Sequence, residues 1–67
     1  MERGTIRSYD QDSGNGTIGR SESVDVRFSA NSIIGSFRSD LKLGDLVWFE
    51  IENILSNHVA VNIRKCV

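Results

Sequence analysis

The stretch from Ser13 to Ser29 constrains this chain most. It reads Ser-Gly-Asn-Gly-Thr-Ile, then the polar run Gly19-Arg20-Ser21-Glu22-Ser23, then Val-Asp-Val-Arg-Phe-Ser. Apolar and polar residues alternate in the two runs that flank the polar segment. A period of two is the signature of a half-buried strand, not of a helix. It puts Ile18, Val24 and Val26 on one face of a sheet, with Thr17, Asp25 and Arg27 on the other. The second face has no packing duty, so function is sought there.

A chain of 67 residues is read as one domain, 1–67. Such a domain buries only about 60% of the surface its unfolded chain exposes, so every buried residue counts. The net charge of −1 argues against a strongly basic nucleic-acid binder but leaves room for a local basic patch. Cys66 is the only cysteine, so no internal disulfide is expected. No apolar run approaches the roughly 20 residues of a membrane span. The opening Met-Glu-Arg-Gly-Thr lacks the apolar core of a signal peptide. A soluble, reducing compartment, the cytoplasm, is the expected location. His58 is the only histidine, and no Cys-x-x-Cys, two-His or paired-acid spacing is present. Neither a metal site, a cofactor nor an enzyme activity is therefore expected.

Taken in order, Gly4 to Asp10 reads as a strand with Ile6 inside and Arg7 outside. Tyr9 faces either way if the strand bends. Two turn signals follow. Asp10-Gln11-Asp12-Ser13-Gly14 is a turn by composition, whereas Asn15-Gly16 is a two-residue hairpin signal in its own right. The earlier turn is preferred, because it lets Gly14 and Gly16 lie within a strand, where a barrel corner or an approaching ligand calls for glycine. Ser29 to Ser32 starts a helical turn, Ile33-Ile34 is a small apolar anchor, and Gly35 to Asp40 is loop-like. Lys42-Leu43-Gly44-Asp45 is a turn. Leu46 to Glu52 is the strongest strand, with Val47, Phe49 and Ile51 on its inner face and Leu46, Trp48 and Glu50 on its outer face. Ser56-Asn57 falls in a loop, and Val59, Val61 and Ile63 make the inner face of a last strand. Five short strands without a long helix predict an all-β, five-stranded antiparallel barrel, which leaves no exposed sheet edge.

At this point the residues resemble the cold-shock domain, a member of the OB-fold class, over nearly the whole chain. Gly4-Thr5-Ile6-Arg7 resembles the family's opening Gly-x-Val-Lys. Ser13-Gly14-Asn15-Gly16-Thr17-Ile18 resembles its Lys-Gly-Phe-Gly-Phe-Ile motif, and Val24-Asp25-Val26-Arg27-Phe28-Ser29-Ala30 its Val-Phe-Val-His-Phe-Ser-Ala motif. Phe37-Arg38-Ser39 falls where the family has Phe-Lys-Ser or Phe-Lys-Thr. Leu43-Gly44-Asp45, Val47-Trp48-Phe49-Glu50 and Ala60-Val61-Asn62-Ile63 follow in order, with one extra residue near Asp40.

The resemblance implies an OB-fold barrel that binds single-stranded RNA or DNA on its outer sheet face. Family domains stack bases on exposed aromatic rings. Here Ser8 stands in place of a tryptophan, Asn15, Thr17 and Asp25 in place of phenylalanines, Ser13 in place of a lysine and Arg27 in place of a histidine. Each lost stacking contact is worth about 1–3 kcal/mol. Four losses together remove on the order of a thousandfold in affinity. The implied site is therefore Arg7, Tyr9, Asn15, Thr17, Arg27, Phe28, Phe37 and Arg38, with weak binding of low sequence preference. Phe28 and Phe37 are either stacking platforms or caps on the barrel, the family positions favouring stacking for both, and Tyr9 packs with a wet hydroxyl. The rival reading is a protein-interaction or regulatory module that keeps the barrel without nucleic-acid binding. It uses the polar face or the outward Leu46 and Trp48, which also offer a homodimer contact.

Overall fold

A computed structural model describes residues 1–21, 23–34 and 41–66. Five strands, β1 (Glu2–Asp10), β2 (Asn15–Arg20), β3 (Ser23–Ser29), β4 (Leu46–Ile54) and β5 (Asn57–Lys65), close into a barrel in the order β1-β2-β3-β5-β4. Every seam is antiparallel except β3 against β5, which is parallel. This corrects the expectation of a purely antiparallel barrel. The reason is arithmetical: a closed ring with an odd number of strands cannot alternate direction at every seam. The connection between β3 and β4 begins with one 3-10 turn, Ala30–Ser32, whose cap Ser29 accepts the Asn31 amide. A parallel bridge from Ile33 to Ile63 then ties this segment to β5.

The first hairpin turns where composition places it. Asp10 Oδ1 accepts the Asp12 amide at 2.9 Å, the side-chain device that makes aspartate a turn former. Asp10 and Asn15 are paired as the strands separate. Gly14 lies in this turn with φ at +76°, not inside a strand as expected, and the positive φ is what selects glycine there. At the other hairpin the turn is only two residues, Leu55-Ser56, and Asn57 already pairs with Ile54. The expected Ser56-Asn57 loop is thus shifted by one residue, and Asn57 belongs to β5.

The core comprises Ile6, Ile18, Val26, Phe28, Ile33, Leu41, Val47, Phe49, Ala60 and Ile63. Three β-bulges decide where this departs from strict alternation. On β3, Gly19 of the partner strand faces both Val24 and Asp25, since Ile18 pairs with Val26 and Arg20 with Ser23. The extra residue shifts the parity, so Val24 stands outside with 80% of its surface exposed, against the expectation that it is core. On β1, Arg7 and Ser8 together face Thr17, and both point outward. On β5, Asn62 and Ile63 together face Phe49. Asn62 takes a φ of +54° and donates to Glu50 Oε1 at 2.8 Å. Beyond that bulge Ala60 is inside, and Val59 and Val61 are only partly buried, so Val61 is not the core residue expected. Ile51 is likewise half-buried against the core.

Leu55 and Ser56 both hold positive φ, 50° and 69°, a hairpin geometry normally reserved for Asn-Gly. A left-handed backbone costs a residue with a Cβ about 1–2 kcal/mol. The double variant Leu55→Asn, Ser56→Gly is therefore expected to gain about 1 kcal/mol and raise the melting temperature by roughly 4–8 °C by calorimetry. An unchanged melting temperature would mean that the turn is relaxed in solution.

Candidate functional site

The outer face of β1, β2 and β3 is built by the bulges. Because Arg7 and Ser8 both point outward, a row forms across the sheet in which Ser8 pairs with Thr17 and Thr17 with Arg27. The Ser8 and Thr17 hydroxyls are hydrogen-bonded at 2.9 Å. Asn15 lies two residues further along β2 and is exposed. Arg7 Nε stands 3.7 Å from Asp25 Oδ1, with both side chains well exposed at 59% and 43%. A pair so open to water contributes little, and either partner exchanges readily for another ion.

Tyr9 and Phe28 close one end of the barrel. Both are cross-strand neighbours of Gly16, one on each side, and their rings stack over it with centroids 5.8 Å apart and planes 17° apart. Phe28 keeps only 4% of its surface exposed, so it packs as a cap and not as the stacking platform that its family position favours. A Cβ on Gly16 would stand 2.6 Å from Phe28 Cζ and 2.5 Å from the Ser8 carbonyl oxygen. The glycine is there for the ring.

Three open depressions meet at Arg27. The first, ≈ 390 Å³, is lined by Ser8, Asn15, Gly16, Thr17, Arg27 and Phe28. The second, ≈ 340 Å³, is an apolar trough with Ile54, Val59 and Val61 along one wall and Ser29, Ser32 and Arg27 among its rim. The third, ≈ 330 Å³, runs between Asp25, Arg27, Asn57, His58 and Val59. Arg27 is exposed and has no ion-pair or hydrogen-bond partner among the described residues. The structure thus brings Arg7, Asn15, Thr17 and Arg27 onto one face, with Tyr9 and Phe28 at its end. Phe37 and Arg38 lie outside the described residues. The trough residues Ile54, Val59 and Val61 are absent from the sequence-derived site. Only Asn62, an asparagine that tolerates positive φ amid an alternating run, hints at the parity change that turns the valines outward.

Closed five-stranded topology, the capped end and this outer face define a small OB-type barrel of the cold-shock kind. The chain has the cold-shock-domain fold. No family model matches its sequence, and no curated protein matches it in sequence. Among solved structures it is similar to a Drosophila protein chain, "drosophila Unr CSD456", with a TM-score of 0.80 and 24% identity over 98% of this chain. The chain spans about a quarter, 26%, of the length of that one.

Proposed function

We propose that this chain is a single-strand nucleic-acid-binding module that engages RNA or DNA through the outer face of β1, β2 and β3, weakly and with little sequence preference. The observation that carries this reading is the unpaired Arg27 at the meeting point of three open depressions. A guanidinium there offers up to five donors to a phosphate. Hydroxyls of Ser8 and Thr17 and the Asn15 amide lie beside it for base edges, and the apolar trough along Val59 and Val61 receives a base or a sugar. Arg7 joins by exchanging Asp25 for a phosphate. With Phe28 buried and Tyr9 partly buried against it, the phosphate term dominates, and that term is salt-sensitive and blind to sequence. In this reading Phe37 and Arg38 add one ring and one charge from the segment after β3.

Titration of labelled oligonucleotides across a salt series tests it. Each phosphate neutralised on a single strand contributes a slope of about −0.7 in log affinity against log salt. Arg27→Ala is expected to flatten the slope by about that amount and to weaken low-salt binding roughly fivefold. Binding that survives Arg27→Ala unaltered places the site elsewhere. No binding at low salt leaves the protein-interaction reading. That reading draws support from the Ser8–Thr17 hydrogen bond and the Arg7–Asp25 pair, which satisfy polar groups of this face within the sheet itself.

A further inference from the structure

A second groove lies on the opposite half of β1 and β2, away from Arg27. It measures ≈ 320 Å³, and Arg3, Arg7 and Arg20 line it together with Gly4, Thr5, Gly19, Ser21 and Leu46. Three guanidinium groups around one open groove are unusual in a chain whose net charge is −1. Their arrangement is built, not incidental. An added Cβ at Gly19 would stand 2.9 Å from both Cγ and Cζ of Arg7, so the missing side chain is what lets Arg7 lie across this part of β2. Arg20 is fixed by Nε donating to the Val24 carbonyl at 3.1 Å and by Nη1 facing Glu2 Oε1 at 3.4 Å. Arg3 sits over the Trp48 ring, its Cζ 5.5 Å from the centroid. That contact orients the guanidinium without neutralising it. Arg3 has no carboxylate partner among the described residues.

We propose that this groove is a second nucleic-acid contact, taking the phosphodiester backbone of a strand as it leaves the face of β1, β2 and β3. The inference rests on the reading of that face as a nucleic-acid surface and extends it. Arg7 belongs to both places, since it lines the groove and pairs with Asp25 on the face, so the two surfaces are continuous. The occupant is argued from charge. Arg3 offers an uncompensated guanidinium, the exposed pair of Arg7 with Asp25 yields to a stronger anion, and Arg20, half-buried and held by Val24 and Glu2, adds a fixed positive wall. A second copy of the chain fits poorly, because Trp48 is flanked by Arg3 on β1 and Arg64 on β5, and a self-facing contact sets like charges against one another.

Strand length separates the groove from the face. The probes are labelled oligothymidylates of about 4 and about 12 nucleotides, within the range of site sizes of OB-type barrels. Arg3→Gln is expected to weaken the long strand about fivefold and to leave the short one unchanged, while Arg27→Ala weakens both. Gly19→Ala keeps all three charges but displaces Arg7, and is expected to weaken the long strand about twofold. Trp48, the only tryptophan, reports on the groove through its contact with Arg3, and its emission is expected to change with the long strand alone. Unchanged long-strand affinity in Arg3→Gln, with Arg27→Ala still weakening both strands, overturns the groove and leaves the face standing. An effect of Arg3→Gln without any effect of Arg27→Ala overturns the face instead. If poly-glutamate shifts Trp48 emission as strongly as the long strand does, the groove recognises acidic polymers at large and its assignment to nucleic acid fails.

Discussion

Replacing Gly16 with alanine is expected to lower the melting temperature by about 10 °C or more. The residue lies in β2 between Tyr9 on β1 and Phe28 on β3. A Cβ there meets the ring of Phe28 at 2.6 Å and a backbone carbonyl oxygen of Ser8 at 2.5 Å. The carbonyl belongs to the ladder and cannot turn away. The ring is held by its stack on Tyr9 and has almost no exposed surface left to move into. Overpacking of this kind costs about 1–3 kcal/mol, and the entropy gained on leaving glycine returns only about 0.4–1 kcal/mol. A net loss near 2 kcal/mol is large for a small domain whose whole stability is of order 5 kcal/mol. Gly19→Ala is the control. Its nearest neighbours are atoms of the movable Arg7 side chain, so its melting temperature is expected to stay within roughly 4 °C of the starting protein. Equal melting temperatures for the two alanine variants would refute the account of Gly16 as a ring seat.

These two glycines also show how far the sequence could be read. Alternation found the strands, and turn chemistry at Asp10 and Gly44 found two of the turns. The family motifs then pointed to an OB-type barrel, while the closing order and its parallel seam came only with the structure. What stayed hidden are the bulges, since one extra residue leaves no mark on composition yet flips every side chain beyond it. Val24 went to the wrong side for that reason, and Val61 with it, while Ala60 took an inner place that its small size did not advertise. The same flips assembled the site. Without the bulge on β1, Arg7 and Ser8 could not both face outward, and without the one on β5 the trough beside Arg27 would have no valine wall. The arginine groove was invisible for another reason. Arg3, Arg7 and Arg20 are unremarkable as surface residues in a sequence, and only the β1–β2 register and a missing Cβ at Gly19 set them around one space.

Restoring rings to the outer face is expected to raise single-strand affinity by on the order of a hundredfold, and to do so in a way that salt does not erase. The variant carries Ser8→Trp, Asn15→Phe, Thr17→Phe and Asp25→Phe. Ser8 and Thr17 are direct cross-strand partners, and Asn15 follows two residues along β2, so three of the rings stand side by side on one sheet surface. Asp25 lies beyond Arg27 on β3 and pairs with Arg7, so its replacement removes a repulsive carboxylate and frees a guanidinium together. Every base has a π-face, and each one stacked adds about 1–3 kcal/mol whatever its identity. Two bases engaged near the lower bound, with Arg7 released, account for the hundredfold. Ser13→Lys is the comparison. Ser13 is exposed in the first hairpin turn, and a lysine there adds one screened phosphate contact. Its gain is expected to be only a few-fold and to fade as salt rises, whereas the aromatic gain persists. Both variants must first be shown to be folded and monomeric, because four exposed rings also invite self-association. If the folded, monomeric aromatic variant binds no more tightly than the starting protein, the outer face of β1, β2 and β3 is not where a strand lies. The reading of Arg27 then fails along with it.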